Sequence, residues 1–370
     1  LQVLLTAGLI AGLAALAVGR SAAHGDDLVQ DYVSARVWLA GEHAYQDAAQ
    51  LRERFGFPPA GQHVGRNPHP PLSLVFVAPF AWLPFETTLP VYQAFQILLL
   101  ALAWHLSCRV AGCAGWPAAA AGGLLGLWSP VWQGLDWGQP VGAIALFATL
   151  LWLLARREPV WGLSGMILGL ACTLRPFFAI VAAAGVVWPA RRIVIEVVVA
   201  VVAAGSVFGV VGLSPLEWLR AAAAVGDTFT GQCGSVPGVL GIGGLPGMAF
   251  FGAAFVAAAL ARWRGADADS TVALTLSAGL LTYPLAWFQY DVALIGVALW
   301  VAITAHQRNC SPALWGAVAY VALRAVPNMH GREQLQQWLQ VIARAVLMGA
   351  VLFITYACRS SGQAENDSSR

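Results

Sequence analysis

Eight stretches of this 370-residue chain contain no Asp, Glu, Lys or Arg: residues 1–19, 67–85, 87–108, 110–135, 137–155, 197–216, 228–261 and 270–290. A helical crossing of a bilayer core needs roughly 20 consecutive apolar residues, and uncharged runs recurring this often specify a polytopic helical membrane protein. Composition agrees. Hydrophobic residues make up 59% and charged residues 10%, whereas a soluble globule carries about a quarter of its residues as charges. The net charge of +2 is too small to argue for a nucleic-acid partner, and none is expected. The six cysteines show no metal-ligand spacing, so neither a zinc site nor a disulfide framework is expected.

Thirteen apolar spans are read along the chain: 1–19, 72–85, 87–107, 116–132, 138–155, 160–174, 176–190, 193–213, 243–261, 271–287, 291–305, 312–326 and 336–357. Residues 1–19 read as a retained first helix; the alternative is the core of a cleavable signal ending near residues 21–23. The expected architecture is all-α, a single integral membrane domain over 1–358, with a disordered polar tail at 359–370. Arginines at 156/157, 191/192, 262/264, 308 and 359 can share one face, which the positive-inside rule makes cytoplasmic. Residues 133–137, Arg175, the 214–242 loop, Gln289–Asp291 and the 327–335 loop then gather on the other face. Counting all thirteen spans puts the polar interval 20–71 on the arginine face. If 72–85 does not span, the interval moves to the opposite one.

Within that interval, Leu28, Tyr32, Ala35 and Leu39 recur at helical spacing, and Gly41 is placed to stop the helix. Asp27, Gln30, Asp31 and Ser34 lie on another face, which predicts an amphipathic helix at a membrane surface. Asp26, Asp27 and Asp31 form the densest acidic group. A carboxylate at a lipid boundary serves as a general base when partial desolvation raises its pKa; alternatively, Asp26 or Asp27 caps the helix. Arg175 precedes Pro176, so the helix breaks there. An arginine fixed at such a break suits a phosphate oxygen, and its alternative is a snorkelling anchor. Trp287, Gln289, Tyr290 and Asp291 make a polar, aromatic end to a span. His69 and His330 are loop residues without diagnostic spacing. No Walker loop, nucleotide fingerprint, His-Glu zinc helix or Gly-x-Ser-x-Gly elbow is present.

Asp27, Tyr32, Ala35, Arg36, Gly41 and Tyr45 resemble the first-loop signature of glycosyltransferase family 87. His69-Pro70-Pro71 with Pro79 and Leu83-Pro84 resembles the family's next block. Trp137-Gly138-Gln139, then Gly165, Gly169 and Leu174-Arg175-Pro176, resemble its Gly-Gln and Lys/Arg-Pro blocks, and Pro284 with Trp287 its late Pro-x-x-Trp block. The resemblance implies a GT-C membrane enzyme that takes a sugar, often mannose, from a polyprenyl-phosphate carrier at the outer face of the cell (inner or plasma) membrane. The acceptor is a hydroxyl of a lipid or glycan, and no cofactor or metal is expected. Asp27 takes the place of the catalytic carboxylate. Asp31, Tyr32, Arg36, His69, Gln139, Arg175, Trp287, Gln289, Tyr290 and His330 are the expected substrate-binding residues. Phe288, Gln289 and Tyr290 stand where mannosyltransferases of the family tend to carry acidic and histidine residues, which leaves sugar and acceptor open. The competing class is a lipid or small-molecule transporter or flippase, with Asp27 and Arg175 as pathway charges; it predicts inverted repeats, and the sequence shows no convincing one.

Overall fold

The computed structural model describes residues 1–18, 25–58, 65–157, 161–229, 233–326 and 333–367. Among them there are helices and turns but no strand, apart from one isolated bridge between Asp47 and Arg66. The first apolar run is α1 (Gln2–Val18), and the polar interval folds as α2 (Asp26–Leu39) and α3 (Ala48–Arg54). Then come α4 (Pro71–Val77), ending in a 3₁₀ turn at Ala78–Phe80, α5 (Phe85–Ala111), α6 (Trp116–Gly123), α7 (Ser129–Trp137), α8 (Val141–Arg156) and α9 (Leu163–Leu174). A 3₁₀ segment, Pro176–Gly185, leads to α10 (Ala190–Val211), α11 (Pro215–Phe229), α12 (Val236–Val239), α13 (Gly244–Trp263) and α14 (Ala268–Thr282). A further 3₁₀ segment, Phe288–Leu294, runs into α15 (Ile295–Gln307), followed by α16 (Ser311–Ala325) and α17 (Glu333–Asp367).

The all-α membrane architecture is as expected. By length and composition, five helices among the described residues can cross a membrane: Phe85–Ala111, Ala190–Val211, Gly244–Trp263, Phe288–Gln307 and Glu333–Ala357. The other expected spans form shorter helices, some continuous, such as α1 with 17 residues and α8 with 16. Pro71–Phe80 is the clearest case. Ten residues at 1.5 Å each cover about 15 Å, half of a bilayer core, so 72–85 does not span as a single helix.

That short helix determines where the polar interval sits. Gln139 precedes the first residue of α8 and Arg156 is its last, so the two mark opposite ends of one helix. Asp27 is bonded to Gln139, the backbone N–H of Gly25 donates to the carbonyl of Asp136, and the Trp218 indole donates to the carbonyl of Pro68. The interval therefore lies at the Arg175 end, away from Arg156, which pairs with Asp269. There α2 does not rest on an open surface. Leu28, Val29, Tyr32, Val33, Ala35 and Val37 are buried in a small core with Leu74, Val77, Tyr92 and the end of α10. The larger core fills the bundle around Ile144, Phe177, Phe178, Leu276 and Val301. Glycines set one close contact within the bundle: a Cβ on Gly165 or Gly169 would lie 2.1 or 2.3 Å from the carbonyls of Glu196 and Ala200, so α9 and α10 pack backbone to backbone. One further expectation is corrected, since Cys310 is disulfide-bonded, which its spacing does not reveal.

Candidate active site

Three prolines aim the side chains of the site. A residue before proline is pushed out of the helical region, and His69, Gln139 and Arg175 precede Pro70, Pro140 and Pro176. Arg175 shows the effect directly: α9 stops at Leu174, and Arg175 takes an extended backbone (φ −151°, ψ 117°). Its side chain is 2% exposed, so it is not a snorkelling anchor. One guanidinium nitrogen, Nη1, donates to Ser73 Oγ at 2.9 Å and to the carbonyl of Leu174 at 2.7 Å. The other, Nη2, donates to Gln139 Oε1 at 2.7 Å. The guanidinium lies 5.2 Å from the centre of the Tyr290 ring, which is itself stacked on Phe177. Its Nε–H has no partner, and no carboxylate contacts it among the described residues. A buried cation without a counter-ion is costly unless an anion joins it.

Gln139 is the link across the site. Arginine only donates hydrogen bonds, so the amide oxygen of Gln139 must face Arg175 and its NH₂ must face away. That NH₂ donates to Asp27 Oδ2 at 2.6 Å. Asp27 and Arg175 are thus two hydrogen bonds apart, although 148 positions separate them in the chain. Gly138 permits the turn: its φ is 76°, and a Cβ there would stand 2.4 Å from Leu28 Cβ. Asp27 keeps some accessible surface, but the protein around its carboxyl removes most of its solvation. Burial pushes its pKa above the ordinary carboxylate value, opposed by the nearby His69 and by the Gln139 hydrogen bond.

The capping alternative is excluded. Gly25 occupies the N-cap of α2 and makes no side-chain bond. Asp26 instead turns away to Arg52 at 2.7 Å. Gly41 stops the helix as the sequence predicts, with φ 79°. Asp31 is buried and occupied: Asn67 Nδ2 donates to one oxygen at 2.9 Å, and His69 Nδ1 lies 3.0 Å from the other. The Tyr45 hydroxyl donates to the His69 carbonyl at 2.7 Å, and burial holds that phenol's pKa well above its usual value.

The structure thus gathers Asp27, Asp31, His69, Gln139, Arg175 and Tyr290. Gln289 is buried beside Gly134, and its Oε1 has no partner. Tyr32 and Arg36 face elsewhere. The Tyr32 hydroxyl donates to the Leu83 carbonyl at 2.8 Å and accepts from Arg36 Nη1 at 3.1 Å, and its ring packs edge-on to Phe57 and Phe85. Trp287 is half-buried against the main core, and its carbonyl accepts from Arg344. His330 lies outside the described residues.

Sequence reasoning passed over Ser73, Asn67 and one buried cluster. Asp291 carries both Arg324 and Arg344, the latter at 2.7 Å. Arg344 also donates to the carbonyls of Gly234, Leu280 and Ala286, which clasps the strand-like turn before Phe288 to the bundle. The signal for it was present as two arginines inside apolar helices, where a charge is kept only with a partner.

Residues 68–286 match the sequence profile described as glycosyltransferase family 87. No curated protein and no solved structure matches the chain. The match takes in His69, Ser73, Gln139 and Arg175, while the Asp27 helix precedes it. It covers more than half of the protein and contains the blocks that hold the buried arginine and its glutamine. The chain belongs to glycosyltransferase family 87, and its activity is the transfer of a glycosyl group.

Proposed function

We propose that the protein transfers a sugar, mannose-like, from a polyprenyl-phosphate carrier to a hydroxyl of a lipid or glycan acceptor, with inversion. Asp27 takes the hydroxyl proton while that oxygen attacks the anomeric carbon. The bond from that carbon to the phosphate oxygen breaks, and the phosphate departs on its lipid. Arg175 meets the charge that develops on the leaving phosphate. The observation that carries this reading is the Asp27–Gln139–Arg175 relay: a desolvated carboxylate coupled to a buried guanidinium that no carboxylate contacts among the described residues.

The position of the relay supports the outer face of the membrane. It lies at the end of the bundle away from Arg156 and Arg262, and arginine-rich ends stay on the cytoplasmic side. A lipid-borne donor also accounts for a site at a bilayer boundary. His69 is the other group able to accept the proton, because Asp31 holds its Nδ1 at 3.0 Å as a base-orienting carboxylate does.

The test incubates purified protein with a panel of polyprenyl-phosphate sugars and measures release of polyprenyl phosphate. Release from one sugar, lost in Asp27→Asn and kept in part by His69→Gln, is expected. No release from any member of the panel overturns the donor class. Full activity of Asp27→Asn with loss in His69→Gln moves the base to His69. Arg175→Lys keeps the charge but loses the planar fork, so weakened donor use is expected; wild-type kinetics would remove Arg175 from the phosphate.

A further inference from the structure

At the arginine end, remote from the relay, a cavity of about 360 Å³ lies between α9, the 3₁₀ segment Pro176–Gly185, α10 and α13. Its size falls in the ~300–1,000 Å³ range of small-molecule sites. The backbone explains why it exists. A 3₁₀ helix is thinner than an α-helix, and here its last residues, Ala182 to Gly185, are all small. They leave a trough that Ile193, Val197, Ala200 and Val201 wall on one side and Phe255 on the other.

The trough opens toward lipid. α10 and α13 are the least covered of the five long apolar helices, with 11% and 22% of their apolar windows buried inside the protein. Val197 is 55% exposed on that outward side. Two polar side chains, Ser164 and Glu196, stand in the otherwise apolar lining. Ser164 is 8% exposed, and its Oγ has no partner. Arg192 is reached through the lining: it precedes Ile193, is also 8% exposed, and lies 4.2 Å from the ring centre of the lining Trp188, with Nε and Nη2 making no hydrogen bond. Glu196, which also lines the trough, forms an ion pair with Arg192 at 3.8 Å but no hydrogen bond, because its carboxylate accepts from the N–H groups of Gly162 and Gly165. Arg191 and Arg262 extend the positive charge, the latter donating to the Ala184 carbonyl.

We propose that this cavity holds one acyl chain of an anionic phospholipid, with Arg192 and Ser164 binding its phosphate. The apolar trough fits a hydrocarbon chain, and the guanidinium N–H groups that make no hydrogen bond fit phosphate oxygens. Surplus arginine at this end disfavours a headgroup carrying its own cation, and basic pockets between membrane helices on the cytoplasmic side bind anionic headgroups. The site is separate from the sugar-transfer relay and does not depend on its assignment.

Native mass spectrometry of the full chain in detergent tests this, with dioleoyl phosphatidylglycerol, dioleoyl phosphatidylcholine or a polyprenyl phosphate added. One phosphatidylglycerol should stay bound under activation that strips phosphatidylcholine. Arg192→Gln should lower that retention about fivefold, the effect of one cation at an anionic lipid surface. Val197→Trp fills the trough from its bilayer side without touching the interior, and should abolish retention in a protein that still elutes monodisperse. Equal retention of the two phospholipids overturns the proposal. So does Val197→Trp behaving as wild type, or a polyprenyl phosphate displacing phosphatidylglycerol in a Val197-dependent way. If Arg192→Gln does not fold, the headgroup comparison and Val197→Trp decide the matter.

Discussion

Asp27 does its proposed work only when unprotonated, and its surroundings are set against that. Burial raises its pKa, so the acid limb of the pH–rate profile should lie above the ordinary carboxylate range. Asp27→Asn keeps the hydrogen bond from Gln139 and loses the proton acceptor, so turnover should fall ~10²–10⁴-fold with donor binding retained. Stability should move the other way. A carboxyl whose folded pKa is raised adds stability below its unfolded value and withdraws it as pH rises through the folded value. At neutral pH the Asn variant should therefore melt no lower than wild type, and a clear drop would show that the carboxylate is structural. Gln139→Leu removes the bond that favours the charged form of Asp27 and leaves Arg175 Nη2 unpaired. Its acid limb should shift to higher pH, and stability should fall by ~1–3 kcal/mol. An unmoved limb would mean that the relay does not couple the two charges.

The site's elements are built by helix endings, and the endings were written in the sequence. Pro176→Ala lets Arg175 join the helical backbone of α9, which swings its guanidinium away from Gln139. Donor use should weaken while the chain still inserts, and unchanged kinetics would show that the proline only ends a helix. Gly138→Ala combines a left-handed backbone with a Cβ against Leu28, and a destabilisation of ~1–3 kcal/mol is expected in thermal melts. Helix existence, the stop at Gly41 and the break at Arg175 were legible because each depends on neighbours in the chain. The Asp27–Gln139 bond was not, since it joins residues 112 apart and follows from how α2 packs on the turn before α8. Tyr32 shows the same limit from the other side. Its spacing put it on the helix face away from Asp27, and only the packing of Phe57 and Phe85 reveals what that face touches.

Taken whole, the protein has two dissimilar ends: a capped, polar one that holds the relay, and an arginine-rich one. An impermeant thiol reagent applied to intact cells should label cysteines placed at Glu42 or Gln50, both exposed on the capped end, and spare those placed at Arg157 or Arg264. Labelling of both pairs from one side would separate the capped end from the outer face. Hydropathy measures how apolar a run is, not whether Gly and Pro let it continue as one helix, and the expected span 72–85 is cut at Phe80 for that reason. The Asp291 cluster joins three separate elements, and its consequence belongs to biosynthesis. Asp291 leaves the ribosome well before Arg324 and Arg344, the residues that neutralise it. Until the last helix arrives, the nascent chain holds an acid in an apolar segment, and each arriving arginine costs ~2.5–3.5 kcal/mol to insert alone. α17 thus acts as a latch of assembly, because Asp291 keeps only one of its two arginines until Arg344 arrives.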